Sequence, residues 1–380
     1  MGCQVRFFPK SLCLPAIEGP LNPRSLMKIS LAAMLAILVL APPSSFAAQP
    51  NTNDANVILL TLDGVRWEEV FKGVDPGQSM DSEGTHSRIF DYLTGTLTQQ
   101  GPLIGNKEKG ERVTVSNPAQ NSLPAYQSIM AGATQPCTSN ACGRIHVETF
   151  PERILQDLQL KKEEVATFAS WEKIANAVEH VEGTTLVNAG IQPLANPSSD
   201  AETDKVNREQ AAEKPSWSSA RLDKFTFAHA LHYLKARKPR FLFISLNDSD
   251  EWGHKGDYTK YVQTLRQHDE WIKELVATID GLGEYGKHTS LIITTDHGRG
   301  VGNDWNEHGS GYANSGSIWL YGRTPFSRSL QPGKHRGLAS SKSFAHVDIR
   351  PTIETLFGLS PKLDGVTPLP GHAIRALTGN

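Results

Sequence analysis

An aspartate and a histidine stand side by side in Thr295-Asp296-His297-Gly298, directly after the apolar run Leu291-Ile292-Ile293-Thr294. At the end of a buried strand such a pair can face a metal ion, since carboxylate oxygen and imidazole nitrogen are both ligands for one. Asp63 closes a similar run, Leu59-Leu60-Thr61-Leu62. Asp250 and His254 are spaced to meet at one ion in Asp250-Glu251-Trp252-Gly253-His254, and His308 follows in Asn306-Glu307-His308-Gly309. Each has a plainer reading, with Asp63 as a helix cap and 250–254 as an acidic turn. Asp248 competes with Asp250 as a ligand. Three aspartates and three histidines exceed the needs of one tetrahedral ion, so two divalent ions are expected, zinc first, with manganese or iron as alternatives. Ser122 opens a helical pattern that runs to Ala131 and stops at Gly132. It could simply be the N-cap. The same place would set its oxygen among N–H groups that favour anions, and a nearby cation would lower its pKa toward the alkoxide.

These residues need a frame that brings them together. Strands are expected at 57–62, 165–171, 184–187, 241–246, 291–295 and 317–321, several of them apolar throughout, as in sheets covered on both faces. Between them, 258–279 places Tyr261, Leu265, Ile272, Leu275, Val276 and Ile279 on one helical face, and 222–234 and 349–356 are similar. The alternation predicts an α/β fold, a mainly parallel central sheet flanked by helices on both faces. In such sheets function gathers beyond the carboxyl ends of the strands, where Asp63, Asp250 and Asp296 would lie. Segments 72–112 and 188–219, polar and broken by glycine or proline, read as loops or small subdomains inserted near the site. His268 within the long helix reads as a surface or packing residue, and His346 as a packing or hydrogen-bonding one.

The 380 residues carry a net charge of −2, which gives no basic footprint for nucleic acid. Near the start, Met27-Lys28, an apolar stretch to Leu40 and then Ser45-Phe46-Ala47 have the parts of a secretory signal peptide, too short for a membrane span. Residues 1–47 are therefore expected to be a leader with Met27 as the true start. Residues 48–380 would form one exported catalytic domain, periplasmic or extracellular, with no membrane span. Export leaves Cys137 and Cys142, five apart, which an oxidising compartment would join.

In this order and context the motifs resemble the alkaline phosphatase superfamily, and within it the branch of type I phosphodiesterases and nucleotide pyrophosphatases. The elements are strand-Asp63, Ser122-x-Pro-x-Tyr126, Asp250-x-x-Gly-His254, Asp296-His297-Gly, His308-Gly and the closing Val347-Asp348-Ile349-Arg350-Pro351. The resemblance implies that Asp63, Ser122, Asp296 and His297 hold the ion that activates the nucleophile, and that Asp250, His254 and His308 hold the ion facing the leaving oxygen. It implies hydrolysis of phosphate monoesters or diesters on a small-molecule substrate. Ser122 attacks phosphorus, the alcohol departs, and hydroxide cleaves the phosphoseryl intermediate. Sulfatases of the superfamily need arginine where Tyr126 stands, which argues against a formylglycine nucleophile. Sulfate- or phosphonate-ester hydrolysis, or a non-catalytic anion- or metal-binding relative, are the alternatives. Phosphodiesterase relatives carry asparagine where this chain has Ala125, so Asn121, Asn140 or Arg144 is expected to contact phosphate instead.

Overall fold

The computed structural model describes residues 54–78, 87–196, 198–330, 343–363 and 368–379. The expected leader lies outside them. The described residues belong to one compact unit. Its strands are β1 (Asn56–Leu62), β2 (Leu103–Ile104), β3 (Arg112–Thr114), β4 (Val165–Ala169), β5 (Leu186–Ala189), β6 (Phe241–Leu246), β7 (Thr289–Thr294), β8 (Ser317–Ile318), β9 (Leu320–Arg323) and β10 (Ser343–Ala345). Seven of them make the main sheet in the order β2-β9-β7-β1-β6-β4-β5. The run from β7 to β5 is parallel, and β9 and β2 add an antiparallel margin. A small second sheet pairs β10, β3 and β8.

The apolar runs become central strands because both faces are covered. Ile58, Leu60 and Leu62 of β1 enter one core cluster, while Val57 and Leu59 enter the other. The first cluster takes its helical partners from Asp223–Arg237 and Tyr258–Gly281, through Leu234, Tyr261, Leu265 and Ile272. The second takes Leu123, Tyr126 and Ile129 of Ser122–Ala131 and Ile349 and Ile353 of Ile349–Leu356. Each fully buried large apolar side chain contributes on the order of 2 kcal/mol, so the two clusters clamp the sheet from both sides. No helix among the described residues is long and apolar enough to cross a membrane.

Some boundaries differ from those expected. The strand expected at 184–187 starts later, at Leu186, because Thr185 gives both its N–H and its hydroxyl to Glu179 Oε1. The strand expected at 317–321 divides between two sheets, β8 pairing with β3 and β9 with β7. The segment 188–219 is not all loop: Ala201–Ala212 is a helix whose Asp200 cap accepts from the Thr203 N–H. It lacks an apolar stripe, which is why it reads as loop. In 72–112, β2 joins the margin of the main sheet.

Candidate metal centre

The register of the three central strands brings the carboxylates together. Leu62 pairs with Leu246 across β1 and β6, and Thr61 with Thr294 across β1 and β7. The next residues out, Asp63, Asn247 and the Thr295-Asp296-His297 run, therefore leave the sheet side by side. β1 is sewn to its neighbours beyond the ladder: Gly64 N–H donates to Asp296 Oδ1 at 3.0 Å, and Val65 N–H to Thr295 Oγ1 at 3.1 Å. Gly64 has φ +64, and a Cβ there would strike Asp250 Oδ1 and the Arg299 guanidinium. After β6 the helix Asp248–His254 starts at once, and Ser249 Oγ donates to Asp63 O at 2.6 Å.

Two groups of three potential ligands result, each with its donor atoms within 4.8 Å: Asp63, Asp296 and His297, and Asp250, His297 and His308. His297 Nε2 lies 3.4 Å from Asp296 Oδ2, 3.6 Å from Asp63 Oδ1 and 4.0 Å from Asp250 Oδ1. Its Nδ1 is 2.9 Å from Gly298 O and so carries the proton, which leaves the Nε2 lone pair facing the carboxylates. His254 Nε2 is 3.1 Å from Asp250 Oδ2 and 3.2 Å from His308 Nε2. The His308 ring stacks on His297 with centroids 3.9 Å apart. Ser122 Oγ is 3.1 Å from His297 Nε2, so the hydroxyl donates to that lone pair.

These residues fit a divalent cation on the chemistry of their own atoms. Asp63 Oδ1 and Asp296 Oδ2 are buried and have no hydrogen-bond partner, an arrangement that costs stability unless a cation meets them. Against the buried carboxylates of Asp63, Asp250 and Asp296, the fixed positive charge is the Arg299 guanidinium. Burial, then the charges of Asp296 and Asp250, push Asp63 well above the usual carboxylate range. Burial and the Asp250 charge push Asp296 up to about 6. Burial also raises Asp250, but Arg299 and then His254 outweigh it and hold that group well below the usual range. Burial lowers His297 to about 4 and His308 to about 3, so both rings are neutral near pH 7, the form that ligates. The opening lies on the His254 side, where that side chain is 45% exposed.

Other expected residues fall differently. Ser122 is not the N-cap; Asn121 is, and Ser122 is the first residue of the helix Ser122–Ala131. The anion-binding character of that helix end is narrower than expected, because Leu123 N–H is taken by Asn140 Oδ1 at 2.9 Å and Pro124 has no N–H. Asn140 thus holds the helix start with its carbonyl oxygen. Arg144 points its guanidinium to the carbonyls of Ala175 and Glu179 and to Glu182, an assignment elsewhere. Asn121 makes no side-chain capping bond and lies against Gly309, next to His308. Asp248 is turned toward Asp223 rather than the cluster. His346 reaches Thr295 O at 3.0 Å, and His268 is buried against Asp223 Oδ2 at 3.0 Å. Cys137 and Cys142 are joined by a disulfide.

Two residues at the centre have contacts that the sequence did not reveal. The Tyr126 hydroxyl is 3.1 Å from Asp63 Oδ2. Arg299, fully buried, pairs with Asp250 Oδ1. Its one sequence cue is its place directly after Asp296-His297-Gly298.

A mainly parallel α/β sheet thus gathers acidic and imidazole groups at its carboxyl end, a donor set that could hold divalent metal. The profile of the Metalloenzyme superfamily matches residues 61–308, and the chain belongs to that superfamily. Phosphopentomutases from two strains of Desulfitobacterium hafniense are 27% identical over 136 residues, 36% of this chain. The matched stretch spans only 30% of their length. Among solved structures, a protein of Bacteroides thetaiotaomicron VPI-5482 with a sulfatase assignment superposes with a TM-score of 0.56 at 13% identity, covering 86% of this chain and 75% of that one. The phosphonate monoester hydrolase of Agrobacterium radiobacter superposes at 0.52 and 14% identity, over 86% and 77%. The lipoteichoic acid synthase LtaP from Listeria monocytogenes does so at 0.51 and 12%, over 80% and 72%. At these identities the likeness is one of fold.

Proposed function

We propose that the chain is an exported two-metal hydrolase that cleaves phosphate monoesters or diesters of small molecules through Ser122, in the manner of the phosphodiesterase branch it resembles. The leader expected at 1–47 supports export, with residues 48–380 as the catalytic domain. The observation that carries the reading is Ser122 Oγ at 3.1 Å from His297 Nε2, beside buried carboxylate oxygens that lack partners. Asp63, Ser122, Asp296 and His297 would hold one ion, and Asp250, His254 and His308 the other. When bound, the ions would supply Lewis-acid activation of the Ser122 hydroxyl and charge neutralisation at the ester oxygens; zinc suits the donor set, and manganese or iron are alternatives.

The chain's own part is placement. Ser122 Oγ bonds to phosphorus as the bond to the alcohol oxygen breaks, the serine proton ends on that oxygen, and the alcohol leaves toward the open His254 side. Water then adds to phosphorus, Ser122 Oγ departs, and it regains a proton. Asn121, whose amide is not spent on capping, is the group suited to a non-bridging phosphate oxygen. Tyr126, bonded to Asp63, stands against formylglycine chemistry and so against sulfate as the natural ester.

Ser122→Ala should lower turnover at least a thousandfold, on the scale set by loss of a covalent nucleophile, with bound metal nearly unchanged. Full activity in that variant would end the covalent mechanism. Exhaustive chelation should abolish turnover and added zinc restore it; activity that survives with no metal bound would remove the metalloenzyme reading. Rates on p-nitrophenyl phosphate and on its diester, phosphonate and sulfate analogues would rank the substrate classes, with sulfate expected last.

A further inference from the structure

We infer that Arg299 is the positioning residue of this centre: its buried guanidinium ties together the segments that carry both ligand sets and leaves Asp250 one oxygen to offer an ion. The inference rests on the two-ion reading above. Arg299 Nε donates to Gly64 O at 3.1 Å, Nη1 to Asn306 O at 2.6 Å, and Nη2 to Asp250 O at 2.9 Å and to Asp250 Oδ1. Gly64 follows Asp63, Asn306 precedes His308 by two residues, and Arg299 itself follows Asp296-His297-Gly298. One side chain therefore touches every segment that carries an aspartate or histidine of the two sets, the Ser122 helix alone lying outside its reach. A planar fork with five donors on three nitrogens can do this, whereas a lysine ammonium offers its three donors from a single atom.

The surrounding backbone is cut to admit that fork. Gly253 is inside the helix Asp248–His254, where alanine would be preferred by about 1 kcal/mol on propensity alone. A Cβ there would fall on Arg299 Cζ and Nε, and a Cβ on Gly64 would meet Arg299 Nη2 at 2.9 Å. The glycine of Asp250-x-x-Gly253-His254 is thus space for a guanidinium rather than a helix defect. A consequence follows for the two ion positions. Asp63 Oδ1 and Asp296 Oδ2 have no partner, while Asp250 Oδ1 is already taken and Oδ2 faces His254 Nε2 at 3.1 Å. The position at Asp63 and Asp296 stands without Arg299; the one at Asp250, His254 and His308 depends on it.

Zinc bound per chain, measured by elemental analysis across a buffered free-zinc series, tests this without any substrate. The wild type should hold two ions. Arg299→Lys, which keeps the charge, and Gly253→Ala, which keeps the arginine but fills its space, should each retain one and bind the second at least tenfold more weakly. A role in stability alone would not single out one ion, and helix propensity alone would make Gly253→Ala neutral or better. Retention of both ions at wild-type affinity by either variant would overturn the inference. A wild type holding fewer than two ions would instead count against the proposed function. Melting in chelator then decides the role of Arg299: both variants must melt below the wild type, and equal melting would overturn it.

Discussion

Tyr126 stands under Asp63 with its hydroxyl 3.1 Å from Oδ2 and 3.3 Å from Thr61 Oγ1, and Ser245 Oγ donates to it at 3.3 Å. Burial, then the charges of Asp296 and Asp63, push its pKa well above the ordinary phenol value, so it remains a donor at any working pH. It fixes the carboxylate while leaving Oδ1 without a partner. Tyr126→Phe keeps the packing and removes that bond, so zinc affinity at the Asp63 position should fall by roughly tenfold to a hundredfold with the fold intact. Titration against a competing chelator would measure it, and an unchanged affinity would mean that Asp63 is oriented by other contacts. The ligand candidates were legible in the sequence because aspartate and histidine at the ends of apolar strands are out of place without a task. The role of Tyr126 beside Asp63, and Arg299 altogether, were not. Those roles lie in contacts across 63 and 49 residues, which no local pattern shows.

The helix Asp248–His254 holds Asp250 and His254 in register by a device that begins on another helix. Asp223, the first residue of Asp223–Arg237, accepts the Asn247 N–H at 2.7 Å and the Asp248 N–H at 2.8 Å, which are the open donors where the shorter helix starts. Ser170 Oγ at 2.5 Å and His268 Nε2 at 3.0 Å complete its shell. Asp223→Asn keeps the volume but weakens these charge-assisted bonds, so stability should fall by about 3 kcal/mol, as expected for hydrogen bonds to a buried charged group. Zinc at the Asp250 position should weaken in parallel. Chemical denaturation of the metal-free protein reads the first effect, and a variant as stable as the wild type would show that the helix start is held without Asp223. Elements of this kind were partly legible. Central strands announced themselves as apolar runs, and Ile349–Leu356 agreed with its pattern to the residue. The division at Trp319 was not legible, since an apolar run gives no sign of which sheet each half will join. Ala201–Ala212 was missed because polar side chains order it: Asn207 binds the Leu194 N–H at 2.8 Å and the Leu194 carbonyl at 2.9 Å.

At the scale of the whole molecule, stability depends on a cross-link and on protons. The disulfide between Cys137 and Cys142 closes a short loop just after the helix Ser122–Ala131, and Asn117 Nδ2 donates to Cys137 O at 3.0 Å. Loop-closure entropy for so few residues gives about 2 kcal/mol, so the double serine variant should lose that much in denaturant unfolding, and no loss would mean the loop is held by its hydrogen bonds. Acid acts through a different group. His229 is buried in the helix Asp223–Arg237 with Nε2 unpartnered. Burial, then the charges of Arg221 and His232, lower its pKa to about 3 from 6.5. Above pH 6.5 the ring is neutral in both states and contributes no pH dependence. Between 6.5 and about 3 the unfolded chain takes a proton that the folded chain refuses, so stability falls as pH falls through that window. His229→Leu removes the proton site without adding a charge. In chelator, so that the metal centre is constant, the variant should gain on the wild type by about 1.4 kcal/mol for each pH unit below 6.5, and match its slope above. Parallel stability curves for the two proteins from pH 7 to 4 would mean that His229 opens to water before it titrates, and that the acid sensitivity belongs to other groups.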